Sequence, residues 1–567
     1  MHFSFCFRKE ALLACIFFDM KKLRVSVLVL LAVSVVAFSF TRHDRYFEIA
    51  RSLETFASLY KLVNKYYVDP VSPTGLANDA IVSMLASLDP YTNYIPEDQI
   101  EDYRTMTTGE YGGIGAEVEL RDQKIIVTMP LEGYAAANAG IRRGDEILKI
   151  NGIDIGGRPV SNIERLLKGQ ADGTVSLTIK RPGVDEEFAL DVTYEKVKQK
   201  NVPFAGMVTE SIGLIQLTDF THKAGQEVEE ALLYLKSLGA EKIILDLRGN
   251  PGGLLNEAVN ISNVFLPRGS DIVKMRGRFD EWSNDYLALN EAIDTEISLA
   301  VLIDENSASA SEIVSGVLQD YDRGVVVGQR SFGKGLVQTT TPLSYNSQLK
   351  VTVAKYFIPS GRCIQEIDYS KKMVPAEERA VDTIRDKFST MAGRAVYDGA
   401  GIEPDLFVDV ANYSPVATSL LEKKLIFDYA SLFRTRYDSI EAAGEFSLTD
   451  AQYKAFVEWV QQRDFGYQTE VETNLDLLTT TAKEERYYEG ISSQIISLRE
   501  EIARNKAEDL LKFKPEIKQL LELEIVKHYF LQTGAMEYSF RHHPDILTAV
   551  DILMDETRYK AILSGKN

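Results

Sequence analysis

The stretch KIILDLRGNPGGLLNEAVNISNVF, from Lys242 to Phe265, contains the pattern that decides the fold. It begins with the mostly apolar run KIILDL, which is typical of a buried strand. Two adjacent glycines mark a turn, and the segment after them has apolar residues at helical spacing. A buried strand that leads through a glycine turn into a helix is the repeating unit of α/β proteins.

The same alternation extends to both sides of this stretch. Strands are predicted at SIGLIQL, LAVLID, VVVG, LVQTTT and LKVTVAKYF, and helical stripes lie between them at 228–238 and 313–321. We therefore predict an α/β core over residues 199–410, in which GIEPD at 402–406 is close to the end.

The regions outside the core have different patterns, and together they predict a multidomain α/β protein. Residues 46–105 have helical spacing, residues 106–198 form a small β-rich unit with clustered glycines, and residues 411–567 are helical and charged. The last region contains no catalytic constellation, so we interpret its charges as a solvated surface.

Composition excludes several classes of function. A formal net charge of −20 repels phosphate backbones, so nucleic acid is not an expected partner. Of the three cysteines, only Cys363 follows residue 15, which rules out an internal disulfide in the body of the chain. The sequence has neither C-x-x-C nor H-E-x-x-H and only six histidines, and we predict no metal site.

The segment MKKLRVSVLVLLAVSVVAFSF, which begins at Met20, has the layout of an export signal. Lys21, Lys22 and Arg24 precede an apolar run over 25–40. The run is short for a membrane span, although a shortened anchor in the inner membrane would also fit. We interpret residues 1–45 as a leader whose true start is Met20, and expect the rest of the chain to be exported to the periplasm.

The segment ENSASASEI, from Glu305 to Ile313, presents three serines after a predicted strand. Ser309 and Glu312 match the S-x-x-E capping box, and in that interpretation the two residues only cap the start of the helix. A serine on a sharp strand-to-helix turn is equally suited to nucleophilic attack. Ser307 and Ser311 are four residues apart and share a helix side, so Ser309 differs from both. Local pattern alone does not separate a cap from a nucleophile.

A nucleophilic serine needs a base, and two residues are candidates. His222 is the only histidine in the predicted core, but an exposed loop residue is the simpler interpretation of DFTHKAG. Lys334, in GQRSFGKGLVQ, would act as a base if burial lowered its pKa. If the strand includes Lys334, even spacing puts Gln338 on the same face, where it would orient the lysine amine.

Two other motifs overlap the lysine segment and are weaker. Residues 328–335 read G-x-x-x-x-G-K-G, but Gly335 replaces the Ser or Thr of a phosphate-binding loop, and a strand follows where that loop needs a helix. Ser331 to Lys334 matches S-x-x-K, which requires a helix that the adjacent glycines disfavour.

Acyl transfer also requires donors for an oxyanion. Gly252 and Gly253 allow backbone N–H groups to approach a substrate, and the N–H of Ala310 would be a second donor. The structural alternative is a turn that needs glycine only for its geometry.

Taken together, DLRGNPGG, ENSASASEI and SFGKGLVQ, preceded by GGIGAEV and AGIRRGDEILKING, resemble the carboxyl-terminal processing (tail-specific) proteases. The resemblance runs from about residue 50 to 408. It implies an exported serine endopeptidase with a PDZ domain at 106–198, Ser309 as nucleophile, Lys334 as base and Gln338 as its support. The oxyanion donors would be Ala310 and the Gly252–Gly253 turn, and no cofactor is implied.

The resemblance also implies that protein C-termini are the substrates. A PDZ domain binds a terminal carboxylate through loop N–H groups, here Gly112, Gly113, Ile114 and Gly115, and adds the peptide as a strand. A PDZ scaffold without catalysis is the alternative. A homodimer, an adaptor protein and membrane attachment through the N-terminal segment remain open as partners, and the C-terminal helical domain has no assigned role.

Overall fold

The structure is a computed structural model that describes residues 46–369, 385–409, 412–463 and 465–566. The predicted leader lies outside these residues. No helix within them combines the length and hydropathy needed to span a membrane. The chain divides into two compact units, Met1–Ser87 and Leu88–Asn567.

The described part of the first unit is helical. Helix α1 covers 46–66 and helix α2 covers Pro73–Ala86. Ser72 caps α2, since its side chain accepts a hydrogen bond from the N–H of Gly75, and proline follows at the first helical position. The predicted helices of this region are confirmed.

The second unit begins with the short strand β1 (Asn93–Ile95) and helix α3 (Ile100–Thr108). β1 pairs antiparallel with residues 348–350 of a later strand. The helical region predicted at 46–105 thus also contains a short strand, β1, which the sequence pattern did not indicate and which depends on tertiary pairing.

The β-rich unit forms the next compact region. Its elements are β2 (Glu110–Gly113), β3 (Ala116–Arg121), β4 (Lys124–Pro130), α4 (Ala135–Asn138), β5 (Glu146–Ile150), β6 (Ile153–Asp154), α5 (Val160–Leu167), β7 (Thr174–Lys180), β8 (Phe188–Thr193) and β9 (Glu195–Lys198). Five strands follow the order β3-β4-β5-β7-β8, with β6 beside β5, while β2 pairs with β9. β3 is at the edge of its sheet, next to α5.

The core contains the remaining strands and three helices. They are β10 (Phe204–Met207), β11 (Ile212–Gln216), α6 (Ala224–Ser237), β12 (Lys242–Asp246), α7 (Leu255–Phe265), β13 (Asp271–Gly277), β14 (Asn284–Leu287), β15 (Ser298–Ile303), α8 (Ala310–Asp320), β16 (Val325–Gly328), β17 (Leu336–Pro342), β18 (Gln348–Phe357), β19 (Lys387–Ser389), β20 (Ala395–Tyr397) and β21 (Leu406–Phe407). The predicted strands and helices of the core are confirmed.

Within the described residues, six of these strands form the central sheet in the order β10-β11-β12-β15-β16-β21. All neighbours are parallel except β10 and β11. A second sheet contains β1, β18, β13 and β14, with β17 paired to β18. β18 is long, and both β17 and β13 pair with it.

The last part of the chain is helical, as predicted. Its helices are α9 (Pro415–Glu422), α10 (Leu425–Arg436), α11 (Asp450–Gln461), α12 (Glu470–Glu484), α13 (Tyr488–Ala507), α14 (Asp509–Lys512), α15 (Lys514–Ser539), α16 (Pro544–Met554) and α17 (Glu556–Leu563). Helices α9, α10, α11 and α15 share an apolar core of their own.

The two final helices have a different position, because they cover one face of the central sheet. Residues Ile244, Leu302 and Val327 share a buried cluster with α16 and α17, while α6, α7 and α8 pack on the opposite face. Parallel strands need cover on both faces, which explains their nearly continuous apolar runs. The C-terminal region thus completes the core.

Candidate active site

Three loops converge at one edge of the central sheet. β12, β15 and β16 are adjacent and parallel, and the glycine turn, Ser309 and Lys334 each follow the carboxyl end of one of them. Sites in open α/β sheets form at this edge. The sheet order therefore explains how three segments that are well separated in the chain contribute to one site.

The three serines of ENSASASEI have separate environments. Ser309 is half-buried on the turn between β15 and α8, with φ 55° and ψ −110°, a backbone conformation that costs free energy outside glycine. Ser307 Oγ donates to Leu247 O at 2.9 Å, and Ser311 Oγ donates to Asn250 O at 2.9 Å. Two serines thus tie the helix start to the glycine turn, whereas Ser309 occupies the strained position.

The S-x-x-E match has a structural counterpart, because a Glu312 carboxylate oxygen accepts the N–H of Ser309 at 2.7 Å. The same carboxylate also accepts Ser331 Oγ–H at 2.6 Å and the N–H groups of Gly333 and Lys334 at 2.7 and 2.9 Å. Burial raises the pKa of Glu312 to about 7, against the effect of these four bonds. Glu312 therefore joins the serine turn to the lysine loop.

We expect Glu312→Gln to lower the acylation rate of Ser309 by roughly tenfold to a hundredfold, because a small displacement of reacting groups has effects of that size. The glutamine NH₂ cannot accept a hydrogen bond, so two donors among those at Glu312 lose their acceptor. Labelling kinetics with a fluorophosphonate measure the effect. An unchanged rate would show that Glu312 does not set the geometry.

Lys334 lies in a half-buried position at the end of its loop. Burial lowers its pKa to about 8, and the neighbouring Lys350 acts in the same direction, while Glu312 and Asp89 oppose it. Its Nζ is 4.7 Å from the centre of the Tyr91 ring. We find no hydrogen bond from this nitrogen to Ser309 Oγ within the described residues.

Tyr356 holds the backbones of the serine turn and the lysine loop together. Its hydroxyl is 3.1 Å from Ser309 O and also contacts Lys334 O. The side chain is buried, and burial raises its pKa well above the usual value, so it remains protonated and able to donate. Together with Glu312, this residue holds Ser309 and Lys334 at a fixed backbone separation.

Gln338 lies on β17, but the strand does not include Lys334. β17 begins at Leu336, and a register shift separates Val337 from Gln338, so the premise of even spacing from Lys334 is wrong. The Gln338 amide donates to Thr352 Oγ1 at 3.2 Å. Its support of Lys334 stays a prediction.

The glycine turn touches the serine turn at Gly252. A Cβ on Gly252 would lie 2.8 Å from Ala310 N and 2.9 Å from Ser309 Cβ, and its φ is 93°. The Gly252 N–H donates to Asn250 Oδ1 at 2.9 Å. Ala310 is the first residue of α8, so its N–H has no partner within the helix. This geometry fits an oxyanion site at the turn, and the choice between Gly252 and Gly253 stays a prediction.

The competing motifs find little support. His222 is exposed, and no hydrogen bond to Ser309 is found in the described part of the chain. Ser331 Oγ is buried and accepts the N–H of Ile402 at 2.6 Å in addition to its bond to Glu312. Residues 329–335 form a loop that leads into a strand. A phosphate-binding loop would lead into a helix, and an S-x-x-K motif would itself be helical, so neither motif fits this segment. The described residues contain no group of side chains that could hold a metal ion.

The predicted carboxylate-binding loop is divided between strand β2 and its connection to β3. Gly112 and Gly113 belong to β2, which pairs with β9. Ile114 and Gly115 border a cavity of about 220 Å³ between β3 and α5, but the Ile114 N–H donates to Leu167 O at 3.2 Å. The cavity and the edge strand fit peptide addition, while the role of each loop residue stays a prediction.

Tyr91, Tyr356 and Lys350 belong to no sequence motif and were not predicted for the site, and Glu312 was predicted only as part of a helix cap. Tyr91 and the two β18 residues come from strands or loops that carry no motif of their own. The sequence signal for Glu312 was the S-x-x-E match, because a glutamate is seldom buried at a helix start unless its carboxylate accepts hydrogen bonds there.

The chain matches known proteins both through family models and through individual relatives. The family models that match are "Peptidase family S41" at 211–374, "PDZ domain" at 126–181 and "Probable PDZ-protease, C-terminal helical domain" at 416–553. The chain is 37% identical over 328 residues to the carboxy-terminal-processing protease of Bartonella bacilliformis, covering 57% of this chain and 75% of that protein.

Another relative and a solved structure also match the chain. A "Probable CtpA-like serine protease" of Staphylococcus aureus is 37% identical over 318 residues, which cover 55% of this chain and 62% of the relative. Among solved structures, the photosystem II D1 C-terminal processing protease is 28% identical with a TM-score of 0.35, covering 62% of this chain and 92% of that one. Because the chain is 37% identical to the Bartonella relative over three quarters of the length of that relative, it belongs to the carboxy-terminal-processing proteases of peptidase family S41, and it carries a PDZ domain.

Proposed function

We propose that this protein is an exported serine endopeptidase that binds protein C-termini through its PDZ domain and cleaves near them with a Ser309–Lys334 pair. The observation that carries the proposal is the strained Ser309 turn, joined to the lysine loop by Glu312 and Tyr356. Strained serine turns at the edge of an α/β sheet expose the hydroxyl for attack.

The chemistry begins with proton transfer. Neutral Lys334 Nζ takes the proton of Ser309 Oγ–H while Oγ forms a bond to the scissile carbonyl carbon. The carbonyl π pair moves to oxygen, and the resulting oxyanion accepts hydrogen bonds from the N–H of Ala310 and of Gly252 or Gly253.

Breakdown of this intermediate produces an acyl-enzyme. The C–N bond breaks, and the leaving amine takes the proton from the Lys334 ammonium. A water molecule then adds to the ester carbonyl, with Lys334 as base, and Ser309 Oγ leaves and regains its proton from Lys334. The fragment is released as a carboxylate, and no cofactor takes part.

Productive geometry requires Lys334 to turn from Tyr91 toward Ser309. Catalytic hydrogen bonds often form only when substrate is bound, and the flexible lysine stem permits this change without backbone movement. The Glu312 bonds keep the backbone N–H groups of both residues in place while the side chain rotates.

Peptide capture is proposed for the groove between β3 and α5. The unpaired edge of β3 would add an extended peptide as a further strand, and the apolar side chains of Ile114, Val118 and Leu167 would receive its last side chain.

Export is proposed from the charged and apolar segment after Met20. N-terminal sequencing of the native protein tests the proposed start at Met20, because a mature chain that begins before residue 20 would contradict it.

The decisive test of the function compares the C-terminal peptides of exported proteins between cells with the active enzyme and cells with Ser309→Ala. We expect truncated C-termini only with the active enzyme. Identical C-terminal peptides in both, together with retained binding of C-terminal peptides, would instead favour a PDZ scaffold without catalysis.

A further inference from the structure

The C-terminal helical domain contacts the back of the two loops that flank the serine loop, and its role has so far been open. Asp545, at the start of α16, is almost fully buried. One of its carboxylate oxygens accepts from Arg248 at 3.1 Å, and the other accepts from the Gln329 amide at 3.3 Å. A single carboxylate thus holds residues that follow two different strands.

Both partners of Asp545 lie next to loops of the candidate active site. Arg248 is the second residue after β12 and directly precedes the glycine turn, while Gln329 is the first residue after β16 and begins the lysine loop. Side chains alternate along a strand, so Arg248 and Gln329 point to the same side as Ile244 and Val327. That face of the sheet is the one that α16 and α17 cover.

The guanidinium group of Arg248 is held in one orientation by partners from the sheet and from the C-terminal domain. Its guanidinium donates to both oxygens of Asp246, at 2.8 and 2.7 Å, and its Nη1 is 2.7 Å from His543 Nδ1. The next residue, Gly249, donates its N–H to Asp304 Oδ1, which also accepts from Ser307. Arg248 therefore transmits the position of Asp545 to the glycine turn and the serine loop.

The chemistry of the contact favours a positioning role over one of stability alone. A buried ion pair contributes little net stability, since desolvation offsets the attraction, but it fixes relative geometry when every partner is hydrogen-bonded. Gln329 satisfies this condition, because its amide also donates to Val408 O at 2.9 Å.

We propose that Asp545 is a positioning residue for the proposed protease, through which the C-terminal helical domain sets the glycine turn and the lysine loop relative to Ser309. The inference rests on the proposed function for its catalytic consequence. Its structural consequence, the ordering of both loops by one carboxylate, is independent of catalysis.

The test compares Asp545→Asn with wild type and with Glu522→Gln in the full chain. Glu522 is also a buried acid of the C-terminal domain, but its partners Ser447, Leu448, Lys518 and Tyr538 all lie within that domain. It therefore controls for destabilisation of the domain without contact to the loops.

We expect Asp545→Asn to slow fluorophosphonate acylation of Ser309 roughly tenfold and to lower kcat for a peptide with little change in KM, because the proposed capture groove is lined by residues of neither loop. Hydrogen–deuterium exchange should rise in both 248–253 and 329–335. Asp545→Glu should restore part of the rate, and Glu522→Gln should leave the rate and both segments unchanged.

Unchanged exchange in either segment of Asp545→Asn would overturn the inference, whether or not the wild type is active. An equal loss of acylation in Glu522→Gln would overturn it as well, since destabilisation would then explain both. A wild type that is not labelled at Ser309 contradicts the proposed function instead, and the exchange measurement still decides the ordering of the loops.

Discussion

Ser309→Ala is expected to reduce peptide hydrolysis by at least about 10⁴-fold, because it removes the hydroxyl oxygen that is proposed to form the acyl bond. The fold should persist, since Ser307 and Ser311 bind the helix start to the glycine turn and the Glu312 carboxylate still accepts the backbone N–H at position 309. Turnover of a C-terminal peptide and thermal unfolding of the same sample measure both statements.

The neighbouring serines provide the control. Ser307→Ala and Ser311→Ala remove buried hydrogen bonds, at a cost of about 1–3 kcal/mol in stability for each bond partner left unpaired, but leave the proposed nucleophile in place. They should remain reactive toward a fluorophosphonate below their melting temperatures. Full activity in Ser309→Ala would overturn the assignment of the nucleophile.

Lys334→Ala should cause a loss of similar size, because no other group near Ser309 is proposed to take its proton. Lys334→Arg separates a base from a fixed charge: arginine keeps the positive charge but stays protonated, so it should be inactive too. Lys355→Ala, an exposed lysine on β18, is the matched control and should retain activity. Peptide turnover that survives in Lys334→Arg would show that the residue acts only through its charge.

The same lysine predicts the pH dependence of acylation. Only its neutral form accepts a proton, so the rate should rise with pH through the lowered pKa, about 8, and then level off. Burial and the charge of Lys350 lower this pKa, while Glu312 and Asp89 raise it. Lys350→Met removes one lowering effect and should move the midpoint to higher pH. A midpoint that does not move would show that Lys350 has no influence on the base.

Much of the fold was predictable because parallel strands and amphipathic helices leave strong local patterns. KIILDL, LAVLID and VVVG are nearly all apolar since both sheet faces are covered, and each became a strand close to its predicted limits. The strand Asn93–Ile95 was missed because its pairing partner, β18, is some 250 residues away in the chain.

The site was predictable to the extent that its residues belong to motifs. Ser309, Lys334 and Gly252 follow strands that prove to be adjacent, which sequence order alone does not require. Gln338 illustrates the limit, since β17 begins only at Leu336 and its pairing with β18 is irregular between Val337 and Gln338, so the spacing from Lys334 does not set the side on which Gln338 lies.

Residues that act by holding other residues were not accessible from the sequence. Asp545 follows Arg248 by nearly 300 positions, and nothing in its local sequence distinguishes it from other acids at helix starts. Tyr356 was assigned to a strand, but its bonds to Ser309 and Lys334 depend on how the second sheet packs against α8. Such contacts become visible only when the tertiary structure is known.

The most direct test of the account is to react the full chain with a fluorophosphonate in the presence of a C-terminal peptide, and to map the adduct by mass spectrometry. Added peptide guards against a resting state in which Lys334 is still turned toward Tyr91. We predict one adduct, on Ser309, which is absent in Ser309→Ala and in Lys334→Ala. An adduct on Ser307, Ser311 or Ser331, or none on the wild type, would contradict the proposed Ser309–Lys334 mechanism.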